Sequence, residues 1–248
     1  MKEYLQHSKK IVVTVNDSDF IGQVKPSAIM GYFQDIAVEH AEMIGIGYAK
    51  MKSKNLAWVL IRTSYKVLKT PVLGETLTIT TFPEKPNKFD VNRSYYIYDA
   101  SGELVVSGSS KWCVIDLTTF KLQRCAPLFE HFEDSVYIPH QPFGDANPKL
   151  NTITEYTEES FKSKVNLTDM DRYLHMNNSR YGDVVLNTCG IDMLKNRRVT
   201  RLDANFVSQL FLNDRYESYK ATTESVTNIE VRKITTGDIA FRARIEWN

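Results

Sequence analysis

The residues best suited to chemistry stand together in one stretch, Asp169-Met170-Asp171-Arg172-Tyr173-Leu174-His175-Met176-Asn177-Asn178-Ser179-Arg180-Tyr181. Histidine titrates nearest neutrality of any side chain, which makes His175 the natural proton acceptor. Asp171 is four residues before it, where a carboxylate can fix the tautomer of an imidazole. A helix pattern follows, and either Asn177 or Asn178 is a good N-cap for it. The first free backbone N–H groups of such a helix, with the positive end of its dipole, would polarise a carbonyl and hold an oxyanion. A polariser, a base and an orienting carboxylate are what acyl-transfer hydrolysis requires. Thioesters suit the set, because a thiol ionises near about pH 8.5 and leaves with little help from an acid. The same residue types also serve simply to cap a helix. Against that stands an asymmetry: a related stretch earlier in the chain carries Asp19, Gly22 and Lys25 but no histidine. His40, beside Glu39 on an apolar helical face, reads as a core histidine.

The elements that must position this loop occur twice. Val15-Asn16-Asp17-Ser18-Asp19-Phe20 lies over Val165-Asn166-Leu167-Thr168-Asp169-Met170 at an offset of 150 residues. A helix pattern follows each. The first runs from Ser27, with Ile29, Tyr32, Phe33, Ile36 and Ala37 on one face, and ends at Gly45 or Gly47. The second starts near Asn177 and ends at Gly190. The copies agree again at Gly102-Glu103-Leu104 with Trp112, and at Gly237-Asp238-Ile239 with Trp247, now at an offset of 135. After each helix come runs of β-branched and aromatic residues separated by turn signals: 58–68, 75–82, 92–99 and 104–116, then 201–211, 215–223, 229–234 and 239–247. One helix followed by an antiparallel meander predicts an α+β chain of two halves, each a curved sheet wrapped around a long helix. The expected division is 1–125, a linker over 126–153 that holds Pro127, Pro139, Pro142 and Pro148, and 154–248 carrying the chemical loop.

Bulk properties exclude several classes. The 31 basic and 30 acidic side chains leave a net charge of +1, with no nucleic-acid or membrane footprint. The cluster Lys195, Arg197, Arg198 and Arg201 reads either as a solvated face or as a docking patch. Three cysteines, Cys113, Cys125 and Cys189, have no metal-ligand spacing and no even count, so reduced, packed thiols are expected, without a metal or cofactor. The start, from Met1 to Ser8, lacks the apolar stretch of a signal peptide, and the longest apolar run, Leu56 to Ile61, is too short to span a bilayer. A cytoplasmic protein is the expectation.

The sequence resembles the acyl–acyl carrier protein thioesterases, tandem "hotdog" proteins of plants and bacteria. The resemblance runs from about His7 to Trp247. In the first half it rests on Gln34-Asp35-Ile36-Ala37, Asn55-Leu56-Ala57-Trp58-Val59, Gly74-Glu75 and Ser109-Ser110-Lys111-Trp112. In the second it rests on Asp169-Met170-Asp171, His175-Met176-Asn177-Asn178 and Tyr181. It implies two tandem hotdog domains and hydrolysis of acyl thioesters on acyl carrier protein, ending fatty-acid elongation. It also implies a catalytic strip with Asp, Asn and His at alternate positions, then a Glu-Cys pair on a later strand. Asp171 and His175 match that strip. Tyr173 replaces the Asn, and aligning Asn205 to Leu210 with the later strand puts Gln209 at the Glu and Leu210 at the Cys. A cysteine nucleophile is therefore not expected and the carboxylate base is also missing; either His175 activates water, with Gln209 orienting it, or the activity is weak or altered. A hotdog dehydratase or hydratase of β-hydroxyacyl thioesters, and a non-catalytic acyl-thioester binder, are the other readings. Two hotdogs in one chain supply the pairing that others obtain by dimerising, so either a monomer or a homodimer is allowed.

Overall fold

The computed structural model describes residues 5–138, 145–155 and 158–248. Met1 to Tyr4 of the amino-terminal reading, and Pro139 and Pro142 of the expected linker, lie outside the described residues. The first half runs β1 (His7–Val12), a 3₁₀ turn (Val15–Asp17), α1 (Pro26–Met43), α2 (Tyr48–Ser53), β2 (Leu56–Val67), β3 (Thr76–Pro83), β4 (Asp90–Tyr98), β5 (Leu104–Asp116) and β6 (Leu122–Gln123). A short α3 (Ala126–Phe129) follows, within the segment expected to be linker, and it buries Leu128 and Phe129. The second half repeats the scheme: β7 (Glu158–Lys164), a 3₁₀ turn (Leu167–Asp169), α4 (Arg180–Cys189), α5 (Ile191–Asn196), β8 (Val199–Phe206), β9 (Arg215–Thr222), β10 (Val226–Lys233) and β11 (Ile239–Trp247).

All the main strands join one antiparallel sheet in the order β1-β3-β4-β5-β2-β8-β11-β10-β9-β7. Each half of that list is the other read backwards, so the halves are related by a pseudo-twofold axis between β2 and β8. There Arg62 pairs with Asn205 and Lys66 with Arg201. The helices pack on the sheet, where Ile29, Phe33, Ile36 and Ala37 of α1 join Val184 and Val185 of α4 in one core. Close approach dictates two glycines. A Cβ at Gly108 would lie 2.3 Å from the Phe33 ring, and one at Gly182 would lie 2.4 Å from the Ser27 backbone nitrogen, where the starts of α1 and α4 meet.

Three differences from the sequence reading stand out. The strand expected over 201–211 leaves the ladder after Phe206, and the N–H groups of both Val207 and Ser208 turn to the Ala240 carbonyl. The second helix ends at Gly190 as expected, at φ 80°, but starts only at Arg180, so it spans 10 residues, and a short α5 that was not expected follows it. The duplication also holds in a register two residues away from the sequence match. Val13 and Val165 donate equivalent bonds to Glu75 and Asp214, and Lys25 and Asn177 donate to Asp17 and Asp169. Asp19 is therefore the counterpart of Asp171, Gly22 of Leu174, and Gln23 of His175.

Candidate active site

The loop ahead of α4 is built by local hydrogen bonds. Asp169 closes the 3₁₀ turn by accepting the Asn166 N–H at 2.8 Å. The chain then makes a tight hairpin in which the Asp171 N–H reaches the His175 carbonyl (2.9 Å) and the Leu174 N–H reaches the Asp171 carbonyl (3.1 Å). Closing so small a loop forces Leu174 into the left-handed region, at φ 64°. The segment after β8 clamps the hairpin: His175 bridges Phe211, and the Met176 N–H donates to the Leu210 carbonyl at 2.8 Å. Gln209 is thereby carried to the same wall as His175, although it lies outside the strand expected to hold it.

Asp171 and His175 do meet. Asp171 Oδ2 lies 3.4 Å from His175 Nδ1, and both side chains are largely buried. The Met176 carbonyl is 3.3 Å from the same ring nitrogen. Both neighbours are acceptors, which puts the proton of the neutral ring on Nδ1 and leaves the Nε2 lone pair available. The other oxygen of Asp171 is fixed by the Tyr173 N–H at 2.8 Å. The Tyr173 ring stacks on His175 with an interplanar angle of 12°, and burial raises its phenol pKa above the ordinary tyrosine value. Tyr48 of α2 touches Tyr173 edge-on and carries the Arg172 guanidinium 4.5 Å above its ring, tying the loop to the first half. The sequence carried no signal for that tie.

At the start of α4 the nominal N-cap, Ser179, makes no side-chain cap. Asn177 does the capping two residues earlier: its Oδ1 accepts the Ser179 N–H at 3.0 Å. The Asn177 amide is thus committed to structure, whereas the Asn178 N–H meets no acceptor among the described residues.

These groups open onto a cavity of about 970 Å³. Asp171, Tyr173, His175, Asn177, Asn178 and Gln209 line one end. Most of the remaining wall belongs to the first half, including Met51, Trp58, Leu60, Val91, Ile115 and Phe129. No cysteine lines it. Burial pushes the thiols up, Cys125 to about 11 and Cys189 to about 12, as expected of packed groups.

The basic cluster is not gathered here. Arg201 is buried beneath the chain at Asp145, forked onto Asp203 at 2.9 and 3.0 Å and onto Asp145 at 2.8 Å, so it is not available to a partner. Strand alternation turns it to the opposite face from the site. Arg198 caps α5 by donating to the carbonyls of Leu194 and Arg197, and Arg197 is half-buried. Only Lys195 is exposed.

Fold and site together define a tandem hotdog protein with a single Asp–His pair at a helix start. The acyl-ACP thioesterase N-terminal domain model matches residues 4–130, and the C-terminal domain model matches 150–248. The chain belongs to the acyl-ACP thioesterase family. It is 23% identical over 238 residues to a chloroplastic acyl-[acyl-carrier-protein] hydrolase, FATB2, of Cuphea viscosissima; the match covers 88% of this chain and 57% of that protein's length. A 12:0-ACP thioesterase from Umbellularia californica shares the fold with a TM-score of 0.86 at 18% identity, over 98% of this chain and 97% of that one. An acyl-ACP thioesterase from Bacteroides thetaiotaomicron does so with a TM-score of 0.84 at 20% identity, over 98% of both chains. No helix among the described residues is long and apolar enough to cross a membrane.

Proposed function

We propose that the chain hydrolyses acyl thioesters carried on acyl carrier protein, releasing a free fatty acid and the carrier thiol. The observation that carries this reading is the meeting of the Asp171–His175 pair and the unpartnered Asn178 N–H at one end of an apolar cavity. The acyl chain lies in that cavity with its carbonyl oxygen at the Asn178 N–H. His175 Nε2 takes a proton from water as the water oxygen adds to the carbonyl carbon. Asp171, on Nδ1, stabilises the imidazolium that forms. The tetrahedral oxyanion is held by the Asn178 N–H and the positive end of α4. Its collapse breaks the carbon–sulfur bond, and the imidazolium returns the proton to the departing thiolate. Gln209 makes no side-chain hydrogen bond to the described residues, so its amide is free both to donate to the attacking water and to accept from it.

The test is mass spectrometry of the products formed from acyl-loaded carrier protein. Free fatty acid with unloaded carrier supports the reading. An enoyl or hydroxyacyl thioester, or unchanged substrate, refutes it.

A further inference from the structure

The first-half wall of the cavity contains a buried cation that has no counter-ion among the described residues. Arg93 of β4 stands opposite Ser110 and Pro83 in the sheet, is 6% exposed, and lines the cavity. A guanidinium has five N–H donors. Among the described residues this one meets only His40 Nδ1, at 3.0 Å, and Thr81 Oγ1, at 3.3 Å, both through NH1. Neither partner is an anion. Burial, followed by the charges of Arg93 and His7, holds the His40 pKa down at about 3, so His40 accepts from Arg93 as a neutral ring. Burial raises the pKa of Asp35, which also lines the cavity, and the charges it feels are those of Lys9 and Glu39 rather than that of Arg93. Two other carboxylates on the flanking elements are committed elsewhere. Glu39 takes Lys9 at 2.8 Å and faces His7 at 3.3 Å, while Glu84 takes Ser94 at 2.9 Å. A buried ion without compensation costs several kcal/mol, which proteins ordinarily avoid by pairing it. Hydrocarbon alone cannot satisfy the donors left over; an oxygen on the ligand can.

We propose that Arg93 is a cationic anchor inside the acyl chamber for an oxygen carried on the acyl chain away from the thioester, with a carboxylate as the best fit. Pro83 and Val91 border Arg93 on the same wall, so the ligand is hydrocarbon over most of its length with one oxygen function set into it. A hydroxyl or keto oxygen would use the same donors without neutralising the charge. The inference rests on the cavity being the acyl chamber, and its test is independent of turnover.

The probes are thioether analogues of N-acetylcysteamine thioesters, which cannot be hydrolysed. Three series carry a plain chain, a hydroxyl or keto oxygen, or a carboxylate, with the oxygen moved carbon by carbon along chains of equal length. Calorimetric titration of the full chain should show carboxylate analogues binding about tenfold or more tighter than plain ones over one stretch of positions, with the neutral oxygen intermediate. Arg93→Met should abolish the preference and leave plain analogues bound; Arg93→Lys should keep part of it. Plain analogues that bind as tightly at every position would overturn the proposal, while leaving the chamber reading intact. So would a preference that survives Arg93→Met. Failure of every analogue to bind would remove the chamber, and the proposal with it. Should Arg93→Met not fold, the wild-type comparison and Arg93→Lys still decide.

Discussion

His40 gives the structure a measurable acid limit. In the unfolded chain its imidazole titrates at about 6.5, whereas in the fold burial and the Arg93 guanidinium bring it to about 3. Between those values the unfolded state binds a proton that the folded state refuses. The stability is therefore complete above pH 6.5 and is lost as pH falls towards 3, with a slope approaching about 1.4 kcal/mol per unit. Integrated from about pH 7 to about pH 5, the loss is about 2 kcal/mol. A folded value one unit higher leaves that figure almost unchanged, because nearly all the proton uptake in this window belongs to the unfolded chain. The perturbation is His40→Gln, whose carbonyl oxygen preserves an acceptor for Arg93. Urea unfolding at the two pH values, in wild type and variant, isolates the difference, because the other titrating groups are common to both. Wild type should lose about 2 kcal/mol more than the variant. Parallel losses would mean that His40 protonates freely in the fold and that its contact with Arg93 does not hold it neutral.

The other predictions follow from single contacts. His175→Ala should lower turnover about 10²–10⁴-fold with little change in thermal melting, and near-normal hydrolysis would end its assignment as base. Leu174→Gly should raise stability by up to about 1 kcal/mol in denaturant melts, because Leu174 is 71% exposed and held at φ 64°; a loss would mean that its side chain contributes contacts of its own. Arg201→Met should cost about 3 kcal/mol, since it leaves Asp203, which is 0% exposed, with only Arg244 at 3.7 Å; a neutral result would show that Arg201 is surface-like after all.

Where one face of an element meets the core, the sequence was readable. The strands from Thr76 to Asp116, and from Arg215 to Trp247, announce themselves by β-branched and aromatic alternation. The outermost strands do not. His7–Val12 is HSKKIV and Glu158–Lys164 is EESFKSK, charged runs that suit a sheet edge and look like loop. The chemical loop was legible by residue type, since Asp171, His175 and Asn178 do converge. Its surroundings were not, because Tyr48 touches the loop and Arg93 joins the cavity wall only through tertiary packing. Arg201 misled for a similar reason. Adjacency to Arg197 and Arg198 suggests one patch, yet β8 begins at Val199 and its period of two places Arg201 against Asp145. The two-residue error in the repeat hid the most telling comparison, Leu174 against Gly22, which would have marked the left-handed position in advance.

On the proposed mechanism, the structural register separates the roles of the two copies. Both copies make the same hairpin: Gly22 and Leu174 donate to Asp19 and Asp171, and Val24 and Met176 donate to Pro71 and Leu210. The carboxylate is present in each. In the first copy, however, the histidine position is Gln23, which is no base, and the Asn177 position is Lys25, which makes no side-chain cap. The counterpart of Asn178 is Pro26, which has no N–H to offer an oxyanion. Proline at the first helical position suits a long helix, and α1 runs for 18 residues where α4 runs for 10. On that reading the first copy has no oxyanion donor at its helix start, and Gln34, Asp35 and Val38 of its helix line the same cavity as His175. The proposed division gives the reacting groups to one half and most of the cavity wall to the other, and Pro26 at the place of Asn178 is the difference that marks it most clearly.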